Sequence, residues 1–217
     1  MTELTHLETT RRDYDSMAVR YAEFVGDPLN DEPFGLALIG VFADLVGARG
    51  ANELILDAGC GPGHLTELLT RLGRSVRGVD LSPATIELAR ANRPDLSFEV
   101  GSILDLQLAD GTFGGVLAHF SIIHTPPAQV PTAFAECARV LVPGGYLLLG
   151  FQSGNDVPQA WAAFDHKVSP AYRWSIEALA ALLQTAGFLE VARLRTQPGP
   201  RNRFPAGYLL MQKADTG

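Results

Sequence analysis

The chain has 217 residues, 47% hydrophobic and 19% charged, a length and composition suited to one sizeable ordered α/β core. Its formal charge of −7 argues against a nucleic-acid substrate, which a basic patch would grip by the phosphates, and gives no reason to expect binding to an anionic membrane. Two distant cysteines, Cys60 and Cys137, make no disulfide framework; with no apolar leader core in Met1–Arg12 and no run of about 18 apolar residues, the expected location is the cytoplasm, with both thiols reduced.

In chain order, Asp13–Phe24 reads as an amphipathic helix, with Tyr14, Met17, Ala18, Tyr21 and Ala22 at helical spacing. A loop rich in Asp, Asn and Pro follows over Gly26–Pro33, then an apolar helix over Phe34–Val46, ended by Gly47 and Gly50. Glu53–Asp57 is a short apolar strand that enters a loop with Gly59, Gly61 and Gly63. A helix over His64–Leu72, a strand over Ser75–Val79 and a helix capped by Ser82, with Pro83 at its first position, come next. Strands over Leu96–Val100 and Thr112–Ala118, a helix over Pro127–Leu141, a turn at Pro143-Gly144-Gly145 and a strand over Tyr146–Phe151 complete the regular part. These strands are continuously apolar, as a parallel sheet covered on both faces requires. With right-handed crossovers the expected fold is α/β and doubly wound. Beyond Phe151 the period is lost over Gln152–Arg173. Ser175 caps a last helix ended by Gly187, and Phe188–Leu194 and Ala206–Gln212 read as two further strands.

The segment Asp57-Ala58-Gly59-Cys60-Gly61-Pro62-Gly63 carries the chemistry. A cofactor approaches backbone closely only where no Cβ intervenes, and the helix after the loop points free N–H groups into it. The spacing is G-x-G-x-G, and His64 stands where a dinucleotide fingerprint has its third glycine. Asp57, two residues before the first glycine, would repel a pyrophosphate and suits a ligand bearing an ammonium group. Asp80 ends the second strand, where an acid accepts hydrogen bonds from ribose hydroxyls.

Together these residues resemble the class I S-adenosylmethionine-dependent methyltransferase family, over about residues 13–151 and more loosely over the last two strands. Asp57–Gly63 is similar to that family's first motif, Val79-Asp80 to its second, Gly101-Ser102-Ile103 to its third, Phe113–Leu117 to its fourth and Arg139–Gly145 to the turn before strand five. Ser102 and Gly114 stand where the family more often has aspartate. The resemblance implies a mostly parallel, seven-stranded Rossmann-like sheet with helices on both faces and an antiparallel last strand. It implies S-adenosylmethionine as cofactor, S-adenosylhomocysteine as product, and methyl transfer to an O, N or C atom of a small-molecule acceptor. It further implies that Asp57, Ala58, Gly59 and Gly61 hold the methionine moiety, Asp80 and Leu81 the ribose, and Ser102 and Ile103 the adenine. Ala118 and His119 would face the sulfonium, and Tyr14, Arg20 and Tyr21 would close over the methionine carboxylate.

A base for the acceptor proton is sought at the carboxyl edge of the sheet. His124, after strand four, is the candidate, since an ordinary imidazole titrates near ~6.5; a histidine that only fixes its loop is the alternative. No metal-ligand spacing and no Gly-x-Ser-x-Gly elbow occurs. The expected organisation is one domain, with a helical cap at 1–50, a cofactor core at 51–151, an insert at 152–174 that covers the acceptor, and a C-terminal unit at 175–217, acting as monomer or homodimer. A nicotinamide-dependent oxidoreductase and a non-catalytic S-adenosylmethionine-binding protein are the competing readings.

Overall fold

A computed structural model describes residues 3–25, 33–50, 53–154, 160–198 and 203–215. The chain runs α1 (Glu3–Val25), α2 (Pro33–Gly47), β1 (Ile55–Ala58), α3 (His64–Arg71), β2 (Val76–Asp80), α4 (Pro83–Asn92), β3 (Ser97–Val100), β4 (Phe113–His119), α5 (Val130–Val140), β5 (Leu141–Gln152), β6 (Trp161–Phe164), β7 (Ala171–Trp174), α6 (Ile176–Thr185), β8 (Phe188–Arg195) and β9 (Ala206–Lys213). The loop expected over Gly26–Pro33 lies almost wholly outside the described residues.

Seven strands form one sheet in the order β3-β2-β1-β4-β5-β9-β8. β1 to β5 are mutually parallel, and β9 enters between β5 and β8, antiparallel to both. This is the doubly wound, mostly parallel sheet with an antiparallel last strand that the sequence predicts. The central strands are buried along their length, β1 at all four positions and β4 at six of seven, because helices cover both faces. On one face Phe134 and Cys137 of α5 and Leu179 and Leu183 of α6 join the core; on the other, Ile39, Phe42 and Val46 of α2 pack with Leu69 of α3. Each fully buried Leu, Ile or Phe contributes roughly 1.5–3 kcal/mol through water exclusion.

Local chemistry fixes the ends of the elements. Ser82 Oγ accepts from Thr85 N–H and Pro83 takes the first position of α4, while Ser175 caps α6 through Ala178 N–H. The β3–β4 connection is pinned to α5 by Arg139, which donates to the carbonyls of Leu106 (2.7 Å) and Leu108 (2.8 Å) and to Glu136 (2.7 Å). That connection carries Ser102 and Ile103.

Three elements differ from expectation. α1 starts ten residues earlier than predicted, because its first turns line a cavity through His6, Thr10 and Arg11 and carry no apolar stripe. The Pro143-Gly144-Gly145 turn is instead an irregularity within β5: Leu141 pairs with Phe113, and the register resumes at Gly115 with Tyr146. The insert, expected to be irregular, contains the hairpin β6–β7, with Trp161 opposite Trp174. Four-residue strands are too short to establish a period in the sequence.

Candidate active site

The site forms where β1, β2 and β4 end. Gly59 N–H and Cys60 N–H both donate to Val79 O (2.7 and 3.0 Å), which ties the loop after β1 to β2. Gly59 has φ 85°, and a Cβ there would overlap Ser121; Gly61 has φ 53°, and a Cβ there would face open space as far as Tyr21, 3.9 Å away. The first glycine is required by close approach and the second leaves the loop surface bare toward the cavity.

Asp80 is held by two backbone amides. Gly61 N–H donates to Oδ2 and Ser82 N–H to Oδ1, each at 2.9 Å. Burial raises its pKa, against the effect of these amides. A carboxylate has about four acceptor sites, so each oxygen keeps capacity for a ligand hydroxyl.

These groups line a cavity of about 110 Å³ together with Leu81, Ser102, Ile103, His119, Ser121, and His6, Thr10, Tyr14 and Tyr21 of α1. The Oγ atoms of Ser121 and Thr10 are buried there without a partner among the described residues, and a buried unpaired hydroxyl costs roughly 1–3 kcal/mol. An acceptor carboxylate at the end of β2, a bare glycine loop and orphaned hydroxyls fit a ligand that carries a diol and further polar groups.

α1 roofs this cavity through polar bonds. Asp15 Oδ1 accepts from Ser82 Oγ–H (2.6 Å) and Ala84 N–H (3.2 Å). Tyr14 and His124 are joined at 2.8 Å, and His124 Nδ1 lies 2.9 Å from Pro170 O. Since a carbonyl only accepts, Nδ1 carries the proton and Nε2 accepts from the Tyr14 hydroxyl. His6 Nε2 is also bonded to the His124 carbonyl. Burial pushes the His124 pKa down to about 4, that of His119 down to about 4, and that of Tyr21 up to about 12.

A second, larger chamber of about 500 Å³ adjoins the first, with Tyr21 and Phe120 lining both. Phe120 has φ 55°, the one non-glycine residue among those described with positive φ, a conformation that costs roughly 1–3 kcal/mol and here turns the chain between the chambers. The other walls come from α1 (Met17, Arg20), the β6–β7 turn (Phe164–Val168) and the segment entering β9 (Arg203–Ala206).

Of the residues expected to form the site, Tyr14, Tyr21, Gly59, Gly61, Asp80, Leu81, Ser102, Ile103, His119 and His124 share the smaller cavity. The rest do not. Asp57 is buried beneath the loop, its Oδ2 accepting from Thr66 Oγ1–H at 2.6 Å; it faces the base of α3 and not the cavity wall. Ala58 and Ala118 point into the core of the sheet, each 1% exposed. Arg20 lines the larger chamber. His124, expected as a base, has both ring nitrogens engaged, with Tyr14 and Pro170, and is not among the residues lining the larger chamber. Asp15, Thr10, Phe120 and Ser121 escaped the sequence reading. Nothing local marks them, because their neighbours arrive from distant segments.

Residues 55–145 match the methyltransferase domain family. The "Ubiquinone biosynthesis O-methyltransferase" of Xanthomonas oryzae pv. oryzae is 37% identical over 136 residues, 60% of this chain and 53% of the relative; the chain thus spans about half the length of that curated relative. A "Probable S-adenosylmethionine-dependent methyltransferase" of Mycolicibacterium smegmatis is 30% identical over 190 residues, 76% of this chain and 70% of the relative. Among solved structures, a Burkholderia thailandensis 1,6-didemethyltoxoflavin-N1-methyltransferase with bound S-adenosylhomocysteine has a TM-score of 0.78 at 21% identity, covering 99% of this chain and 92% of that one; this likeness bears on the fold. With the glycine loop, the ordered Asp80 and the sheet order already described, these matches establish that the chain belongs to the S-adenosylmethionine-dependent methyltransferase family.

Proposed function

We propose that this chain transfers a methyl group from S-adenosylmethionine to an O, N or C atom of a small-molecule acceptor, with the cofactor in the smaller cavity and the acceptor in the larger chamber. The observation that carries this reading is the Asp80 carboxylate, fixed by Gly61 and Ser82 amides on the wall of a cavity that meets a second chamber at Tyr21 and Phe120. Gly59 and Gly61 would admit the methionine part, Asp80 the ribose, and Ser102 and Ile103 the adenine. Tyr14 and Tyr21, whose pKa values burial raises further, would close over it. A chamber of about 500 Å³ is in the range of small-ligand pockets, which favours an enzyme with a small acceptor over a protein that only binds the cofactor.

When bound, the cofactor would supply an electrophilic methyl on a cationic sulfur, which an electron pair of the acceptor would displace to leave S-adenosylhomocysteine, with an O–H or N–H acceptor giving up its proton. The protein's part is orientation and exclusion of water. The hairpin turn and α1 are suited to that, since both border the chamber, in keeping with an insert over 152–174 that covers the acceptor. Two free, buried cysteines fit a reducing compartment.

Titration calorimetry tests the reading. Wild-type protein is expected to bind S-adenosylhomocysteine at micromolar concentration, and Asp80→Ala to bind at least about tenfold more weakly, since a hydrogen bond to a charged group contributes roughly 1.5–3 kcal/mol. Equal affinity in the variant would remove Asp80 from the role, and a silent wild type would overturn the reading itself.

A further inference from the structure

The larger chamber has a character that neither the family nor the relatives specify. Its walls are aromatic: Phe164 and Phe204 pack edge to face, centroids 5.1 Å apart at 73°, and Phe120 and Tyr21 close the side toward the smaller cavity. Its charge runs against that of the molecule. In a chain of net charge −7, the chamber is lined by Arg20, Lys167 and Arg203 against one acid, Asp165. The Arg203 guanidinium lies 4.9 Å from the Phe204 ring centroid, and Arg173 lies 4.6 Å from the same centroid. Neither Arg20 nor Arg203 has a carboxylate partner among the described residues. Burial and the neighbouring Lys167 lower the His166 pKa, and its Nδ1 accepts from Val168 N–H at 3.3 Å.

Cations around an aromatic-walled cleft focus a positive potential into it. Guanidinium groups match a carboxylate through paired, charge-assisted hydrogen bonds, and a guanidinium already stacked on a ring is pre-oriented for such pairing. We infer that the acceptor is a one- or two-ring aromatic carboxylate, its ring against Phe164 and Phe204 and its carboxylate toward Arg203 and Arg20, so that its far edge is directed to the Tyr21–Phe120 side. This rests on the methyltransferase reading, to which it adds the class of acceptor.

The test is calorimetry on the full chain saturated with S-adenosylhomocysteine, whose own binding is recorded first. The probes are 4-hydroxybenzoate, 3,4-dihydroxybenzoate, 4-aminobenzoate and 6-hydroxy-2-naphthoate, each paired with its carboxamide. At least one carboxylate is expected to bind tenfold or more tightly than its amide. Arg203→Gln and Arg20→Gln should each weaken that carboxylate severalfold and leave the amide unchanged, while Asp165→Asn should tighten it about twofold. Asp165→Asn removes a repulsive group, so its gain cannot come from misfolding. Equal affinity across every pair, no binding by any probe, or arginine variants that leave the carboxylate unchanged would each overturn the inference. If S-adenosylhomocysteine binds in those runs, the methyltransferase reading survives that failure; if it does not bind, both fall together.

Discussion

Replacing Asp57 by asparagine is expected to change the pH dependence of stability strongly. Asp57 is buried at the end of β1, and that burial raises its pKa from 3.8 to about 7, opposed by the bond from Thr66. Below about pH 4 the carboxyl is protonated in the folded and unfolded chain alike. Between about pH 4 and 7 the unfolded chain releases the proton and the folded chain retains it, so the folded state loses up to about 1.4 kcal/mol per pH unit. Above about 7 both forms are ionised and the loss is complete. In the Asp57→Asn variant the amide oxygen would still accept from Thr66, and the side chain has no proton to release. Urea unfolding at pH 4.5 and pH 8 should therefore show the variant gaining a few kcal/mol on the wild type between the two conditions. Any fixed cost of placing an amide there shifts both points equally and cancels. Parallel stability curves for the two proteins would mean that Asp57 is ionised in the fold throughout.

Gly59→Ala is expected to cost about 2–4 kcal/mol of stability and to abolish measurable S-adenosylhomocysteine binding. Two effects add there. The backbone has φ 85°, which a residue with Cβ adopts at a cost of roughly 1–2 kcal/mol, and the new methyl would overlap Ser121. Gly73 separates them: its φ is 80° and a Cβ there meets nothing within 4 Å. Gly73→Ala should thus lose only the strain and keep full ligand affinity. If the two variants unfold at the same urea concentration and bind alike, the close approach of Ser121 to the loop has no consequence.

Most of the sheet could be read from the chain because its strands are unbroken apolar runs and its helix starts carry their own caps. Ser82-Pro83 and Ser175 mark helix beginnings within three residues of sequence, and the structure bears out both. What escaped was set by partners remote in sequence. The first turns of α1 line a cavity through His6, Thr10 and Arg11, so no apolar stripe announces them. β6 and β7 are defined by each other and not by their own residues. In the candidate site, Asp80 stands at the cavity because the end of a strand is a local fact. Asp57 turns away because Thr66 of α3 draws its carboxylate beneath the loop, and His124 is engaged because Tyr14 and Pro170 reach it from opposite directions.

The double use of Asp15 couples motions that would otherwise be separate. One carboxylate oxygen on α1 serves both the Ser82 hydroxyl and the Ala84 amide at the start of α4. Lifting α1 off the cavity therefore also strips the Ser82 hydroxyl and the Ala84 amide of their shared partner at the start of α4. A ligand that left past α1 would have these two bonds to break as well as its own contacts.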